Sequence, residues 1–309
     1  MSNIKVNVRG GAAPPGSLAD YLKGVKVKLV TISGKGGVGK SLVTAAVGLG
    51  LALRGYRVGI LDGDIYGPTI PKLLGVAGST LYVDSRTGRI VPVSGPFGVK
   101  VVSIDFMLPS DDTAVIWRGA LVTQALRDFI SQVDWGPLDV LMVDLPPGTG
   151  DAPLTIAQSL QGGIDGSIIV TIPSEISRRI VVKAIDFSRK VQIPVAGIVE
   201  NMCCFVCPDS GKTYYIFGEG AGRRIAEKAG VPFLGQIPMD PSLSKYLDEG
   251  RLHEFLALDN DAVKHIMSIV DALASKYADK LRQKVEEERP KRISLMKLPG
   301  EDEEQQGGG

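Results

Sequence analysis

Short apolar runs rich in β-branched residues recur along the chain, each closed by turn residues and followed by a longer segment of helical period. They are VKLVTIS at 27–33, RVGILDGD near 60, VKVVSIDF near 102, DVLMVDLP near 142, GSIIVTIP near 169, VAGIVENM near 198 and PFLGQIP near 235. Runs that are apolar on both faces belong in a buried parallel sheet rather than in a half-exposed one. Their alternation with helices predicts an α/β fold, a doubly wound and mostly parallel sheet flanked by helices. LYVDSRTGRIVPVS at 81–94 differs, and reads as a surface hairpin with Thr87 and Gly88 in its turn. A late helix is expected to begin near Asp261. Residues 1–20, rich in Gly, Pro and small polar residues, predict a flexible arm. Residues 21–285 form the domain proper, and the charged, glycine-ended stretch 286–309 predicts a disordered tail.

Composition changes this picture little. The 309 residues are 44% hydrophobic and 22% charged, with net charge +1 spread along the chain, so no nucleic-acid partner is expected. No apolar run reaches the roughly 18 residues of a membrane helix, and the N-terminus has no signal-peptide core. The expectation is a cytoplasmic protein without a membrane partner. Cys203, Cys204 and Cys207 are the three cysteines, too few and too clustered for a disulfide framework.

Specific chemistry enters with TISGKGGVGKS at 31–41, between the first strand and a helix. It satisfies G-x-x-x-x-G-K-[ST] with Gly34, Gly39, Lys40 and Ser41 at the defining positions. Its glycines turn backbone N–H groups toward phosphates, Lys40 neutralises the β/γ oxygens, and the Ser41 hydroxyl ligates Mg2+. Carboxylates fall at other strand ends, where an open α/β sheet places its ligands. Asp62 and Asp64 sit in a first switch segment, with Asp62 the candidate for orienting the attacking water. Asp144 ends an apolar strand, as a residue holding magnesium through water does, and Gly148 and Asp151 follow in a second switch.

A second lysine, Lys35, in GKGGVGKS resembles the deviant Walker A ATPases that include MinD, ParA and the nitrogenase iron protein. With GILDGDIYGPTIPKLLG, IWRGALV, DVLMVDLPPGTGDAPLTIAQ, GIVENM and IFGEGAGRRIA, in order from about residue 25 to 250, the chain is similar to the Mrp/ApbC/Nbp branch of that class, the iron-sulfur cluster carriers. The resemblance implies a homodimer that binds and slowly hydrolyses ATP, carries a 4Fe-4S cluster between subunits and hands it to apo-proteins. It implies that Gly34, Lys35, Gly36, Gly37, Val38, Gly39, Lys40, Ser41 and Leu42 wrap the nucleotide, with Lys35 reaching across the dimer. It also implies that Asp64 lies in the nucleotide site, that Asn201 recognises the adenine, and that Pro238 and Asp240 line the base. IWRGALV, with Trp117 and Arg118, carries no assignable chemistry.

Three departures stand out. Leu42 replaces the family's threonine, removing a hydroxyl from the phosphate shell. TIPSEISRRIV does not match the family, so nothing is carried onto residues 174–180. The family's second cluster cysteine is Ser210 here, and serine is a poor ligand for cluster iron. Cys204 and Cys207 make an alternative C-x-x-C three residues upstream, a spacing that suits a cluster, zinc or a redox dithiol. Adjacent side chains in an extended segment point to opposite faces, which assigns Cys203 to the interior. The competing functional class is a cluster-free ATP-driven switch of ParA or MinD type, acting on DNA, a membrane or a protein partner. An ATP-using metabolic enzyme is a third.

Overall fold

The computed structural model describes residues 22, 24–64, 67–107, 129, 131–148, 150, 153, 154, 157 and 163–283. The expected arm and tail, and Trp117, Arg118 and Asp151, lie outside them.

Seven predicted strands form where the apolar runs placed them: β1 (Val25–Ser33), β2 (Val58–Asp62), β6 (Lys100–Ser103), β7 (Leu138–Asp144), β8 (Gly166–Thr171), β9 (Val195–Val206) and β11 (Phe233–Met239). The hairpin strands β3 (Tyr82–Val83) and β4 (Ile90–Val91) pair apart from the main sheet, with Gly88 at φ 68° in their turn. Two short antiparallel strands, β5 (Val93–Ser94) and β10 (Thr213–Tyr214), finish the main sheet at its ends. The order is β10-β9-β8-β1-β7-β2-β6-β5, with β11 paired to β9. Every pairing among the seven longer strands is parallel. All of β7 is buried, as a strand covered on both faces requires.

Four longer helices cover the sheet: α1 (Lys40–Leu53), α2 (Glu175–Lys190), α3 (Ala221–Ala229) and α4 (Asp261–Lys276). Small residues let α1 sink into the core, with Gly48 against Ile60 and Gly50 against Val270. The start of α4 is fixed by Asn260, whose Oδ1 accepts from Val263 N at 2.8 Å, and Asp261 adds negative charge at the positive end of the helix dipole. Its buried positions Ala262, Val263, Ile266, Ile269, Val270 and Leu273 follow helical spacing. Because β1 lies between β8 and β7, the chain crosses over at β1, and the carboxyl ends of β1, β7 and β2 converge at this switch point.

Candidate functional site

The loop of residues 34–39 leaves β1 at that point and enters α1. Gly34 has to be glycine because α2 crosses it: an added Cβ would run into Ile180 Cγ2 and stand 2.8 Å from the Ile180 carbonyl oxygen. Gly39 adopts φ 83°, and a Cβ there would collide with Asn201 Nδ2. Around Gly36 and Gly37, by contrast, nothing lies within 4 Å of an added Cβ, so this backbone borders open space. α1 then begins at Lys40 with no side-chain cap and no acidic residue in its first turn. Free N–H groups and the positive end of the helix dipole therefore converge there, which fits a phosphate.

Beneath the loop lies a buried cluster of charge. Lys40 Nζ is 2.7 Å from Asp144 Oδ2 and 3.7 Å from Asp64 Oδ2. The Ser41 hydroxyl donates to the same Asp144 Oδ2 at 2.6 Å. The Thr44 hydroxyl, 2.8 Å from Asp144 Oδ1 and 3.0 Å from the Lys40 carbonyl oxygen, shares its proton between them. A hydroxyl and a carboxylate this close are hard oxygen donors of the kind Mg2+ takes. Asp62 stands in register with Asp144 across β2 and β7 and has no exposed surface. Its Oδ1 accepts from Asp64 N at 3.2 Å, and its Oδ2 accepts from Ile70 N at 3.2 Å and the Ser103 hydroxyl at 3.3 Å. Burial first, and then the neighbouring Asp144 charge, holds the Asp62 carboxyl well above the usual carboxylate range. Asp62 thus fastens the segment after β2 to the sheet. The segment after β7 is tied back as well, with Gly148 N donating to the Ser33 carbonyl oxygen at 2.8 Å.

Of the remaining predicted residues, Lys35 is half-buried in the loop and has no hydrogen-bond or ion-pair partner among the described residues. Val38 and Leu42 pack with the core. Asn201 is buried, and its Nδ2 donates to the Val38 carbonyl oxygen at 2.9 Å, so it holds the loop itself. Pro238 is buried at the end of β11. Asp240 Oδ1 accepts from the backbone and hydroxyl of Ser242, and its Oδ2 accepts from Asn260 Nδ2 at 2.9 Å.

The cysteines follow Asn201 directly. Met202 adopts a left-handed φ of 56°, uncommon for a residue with a Cβ. Pairing with β11 slips there: Ile237 faces Asn201 and Met239 faces Phe205, so β9 advances four positions while β11 advances two. The bulge breaks the alternation on which the opposite-face expectation rested. Instead of pointing apart, Cys203 and Cys204 bring their Sγ atoms to 3.2 Å. Cys203 is buried, as expected, and burial pushes its thiol up, whereas Cys204 is half-buried. Cys207 follows β9 in the hairpin to β10, where its N–H donates to the Lys212 carbonyl oxygen at 2.9 Å. The Ser210 hydroxyl, followed by the N–H groups of Ser210 and Asp209, holds the Cys207 thiol below its ordinary value. Exposed Val206, Tyr214, Tyr215, Ile216 and Phe217 surround the hairpin. Among the described residues, no group of three or more His, Cys, Asp or Glu could hold a metal ion within one chain.

Three residues escaped the sequence reading. Thr44 lies one helical turn beyond Lys40, so the spacing placed it on the same face. Ile180 and Glu200 act only through tertiary contacts. Glu200 is fully buried on β9 and accepts from Gly222 N at 2.5 Å, pinning the start of α3; burial raises its carboxyl.

The loop between β1 and α1, the carboxylate at the end of β7 and the parallel sheet define a P-loop NTPase. Residues 24–274 match the model of a family described as NUBPL iron-transfer P-loop NTPase, within the ParA group, and the chain belongs to that family. It is 51% identical over 250 residues to an iron-sulfur cluster carrier protein of Saccharolobus solfataricus, spanning 81% of this chain and 83% of that one. A carrier of the same description from Methanocaldococcus jannaschii is 45% identical over 263 residues, 85% and 89% of the two chains. A solved nucleotide-binding protein from Archaeoglobus fulgidus, in complex with ADP and with cobalt found in it, superposes with a TM-score of 0.69 at 40% identity, over 77% of this chain and 92% of that one. The cell division ATPase MinD of Pyrococcus furiosus shares the fold, with a TM-score of 0.59 at 20% identity over 81% and 99% of the two chains. No helix among the described residues is long and apolar enough to cross a membrane.

Proposed function

We propose that this chain is an ATP-dependent iron-sulfur cluster carrier working as a homodimer in the cytoplasm, with residues 21–285 as the functional unit. The observation that carries this reading is the shared wall between loop and cysteines. Asn201 bonds the Val38 carbonyl oxygen at 2.9 Å, and Met202, Cys203 and Cys204 follow it directly on β9. A shift of the loop on nucleotide binding therefore moves the backbone that aims the thiols.

The loop backbone and Lys40 bind the phosphates, and Lys40 leaves Asp144 to do so. Ser41 and Asp144, the latter through water, hold Mg2+, which neutralises phosphate charge when bound. Lys35, without a partner among the described residues, serves the nucleotide of the second copy. Asp62 reaches the attacking water only after the segment following β2 releases its oxygens, so hydrolysis is slow and tied to a conformational step. Asn201, Pro238 and Asp240 border the base.

Cys204 and Cys207 ligate the cluster, and Ser210, already engaged with Cys207, is left out. Two thiolates per chain are half of the four that a 4Fe-4S cluster takes, so a second copy completes the set. The exposed apolar residues around the hairpin are what that copy covers, and apo-proteins receive the cluster. Two measurements test the reading: sedimentation with and without ATP, and cluster transfer to an apo-enzyme that regains activity on receiving one. ATP-dependent dimers and recovered activity are expected; a monomer under both conditions that transfers nothing contradicts it.

A further inference from the structure

Cys203 has no role in the carrier reading, yet its sulfur lies 3.2 Å from that of Cys204. In a regular strand these side chains would sit on opposite faces. The contact exists because Met202 is held at φ 56° and β9 bulges past β11. Packing fixes the bulge from the phosphate-loop side: Asn201 is bonded to Val38, and Met202 Cε lies 3.9 Å from where a Cβ on Gly39 would stand. The two thiols are thus brought together by the folded chain. They also differ in access, since Cys203 is 3% exposed and Cys204 opens partly to solvent.

We propose that Cys203 and Cys204 form a vicinal dithiol that low-molecular-weight disulfides oxidise reversibly to an intramolecular disulfide. The Cys204 thiolate attacks one sulfur of the small disulfide, forming a mixed disulfide and expelling one thiolate. The Cys203 thiolate then attacks the Cys204 sulfur, closes the new S–S bond and expels the second thiolate. Both cysteines together lose two electrons and two protons, and the small disulfide becomes two thiols. Closure shortens the sulfur separation from 3.2 Å to about 2.05 Å, a movement of side-chain size. Adjacent Cα atoms are about 3.8 Å apart, shorter than the usual disulfide range of roughly 4.4–6.8 Å, so the bond is strained and readily reduced. Cys207 sits in the hairpin turn, its N–H bonded to the Lys212 carbonyl oxygen and Ser210 against its thiol, and takes no part. Resting on the carrier reading, one consequence follows: closure removes Cys204 from the cluster ligands, so oxidation and cluster loading exclude each other.

The test uses the full chain, reduced anaerobically, freed of reductant and incubated with oxidised glutathione without iron or nucleotide. Remaining thiols are alkylated, and tryptic peptide 191–212, which carries all three cysteines, is fragmented in a mass spectrometer. The expected wild-type product is lighter by two hydrogens between Cys203 and Cys204, alkylated on Cys207, and restored by dithiothreitol. Cys203→Ala is expected to stop at a glutathione adduct on Cys204. A Cys204–Cys207 disulfide, a lasting glutathione adduct in the wild type, or alkylation of all three cysteines would overturn the proposal. The wild-type peptide decides the matter even if the variant does not fold. With no iron present, the result does not depend on whether the chain carries a cluster.

Discussion

Lys40 and Asp144 form a buried ion pair, with Nζ 2.7 Å from Oδ2 and side-chain exposures of 6% and 0%. The residue proposed to reach a phosphate is therefore paired with the residue proposed to hold the metal. Removing Lys40 alone leaves a buried carboxylate with only hydroxyl partners, and breaking such a pair costs about 3–5 kcal/mol. Lys40→Met is expected to abolish nucleotide binding and to lower the denaturant midpoint. Lys40→Met combined with Asp144→Leu is expected to recover much of the stability and none of the binding. Isothermal titration and urea unfolding separate the two effects; nucleotide affinity within a few-fold of wild type in Lys40→Met would refute the site.

Thr44 supports the same carboxylate from one turn farther along α1. Thr44→Val keeps the shape but leaves Asp144 Oδ1 without that donor, at a cost of about 1–3 kcal/mol. The loss should appear in urea unfolding, with a smaller fall in nucleotide affinity than Lys40→Met gives. Stability equal to wild type would show that the hydrogen bond contributes nothing.

Glu200 makes stability depend on pH. Its carboxyl is raised in the folded chain, mainly by burial, above the roughly 4.3 of an unfolded glutamate. The folded state thus binds the proton more tightly. Glu200's contribution is fully present below about pH 4 and is lost as pH rises through the folded value. Glu200→Gln keeps an acceptor for Gly222 N and cannot ionise. Thermal unfolding should find the variant more stable than wild type at alkaline pH, with the gap closing toward acid. A gap that does not change with pH would show that Glu200 titrates alike in both states.

The fold was legible because its strands are buried on both faces and each apolar run stands alone between turns. The phosphate loop was legible because its chemistry is local, from Gly34 to Ser41. Asn201's bond to Val38 and Glu200's to Gly222 join residues far apart in sequence and leave no periodic trace. The relation of Cys203 to Cys204 was misread for a different reason. Alternation assumes a regular strand, and the left-handed turn that breaks it falls on Met202, a residue type that carries no signal for such a conformation.

Asn201 is the link between loop and thiols, so its removal should uncouple them. ATP is expected to change the alkylation rate of Cys204 several-fold in the wild type, and Asn201→Ala to reduce that change to near nothing while the apo rate of Cys207, away in the hairpin, stays as it was. Equal nucleotide responses in both proteins would mean that the coupling runs elsewhere.

The most direct test of the carrier account is anaerobic reconstitution with iron and sulfide, with bound metal counted in wild type, Cys204→Ala, Cys207→Ala and Ser210→Ala. The account predicts about two iron per subunit in the wild type and in Ser210→Ala, and loss in both cysteine variants. A wild type that retains no iron, or that holds zinc in its place, would contradict it.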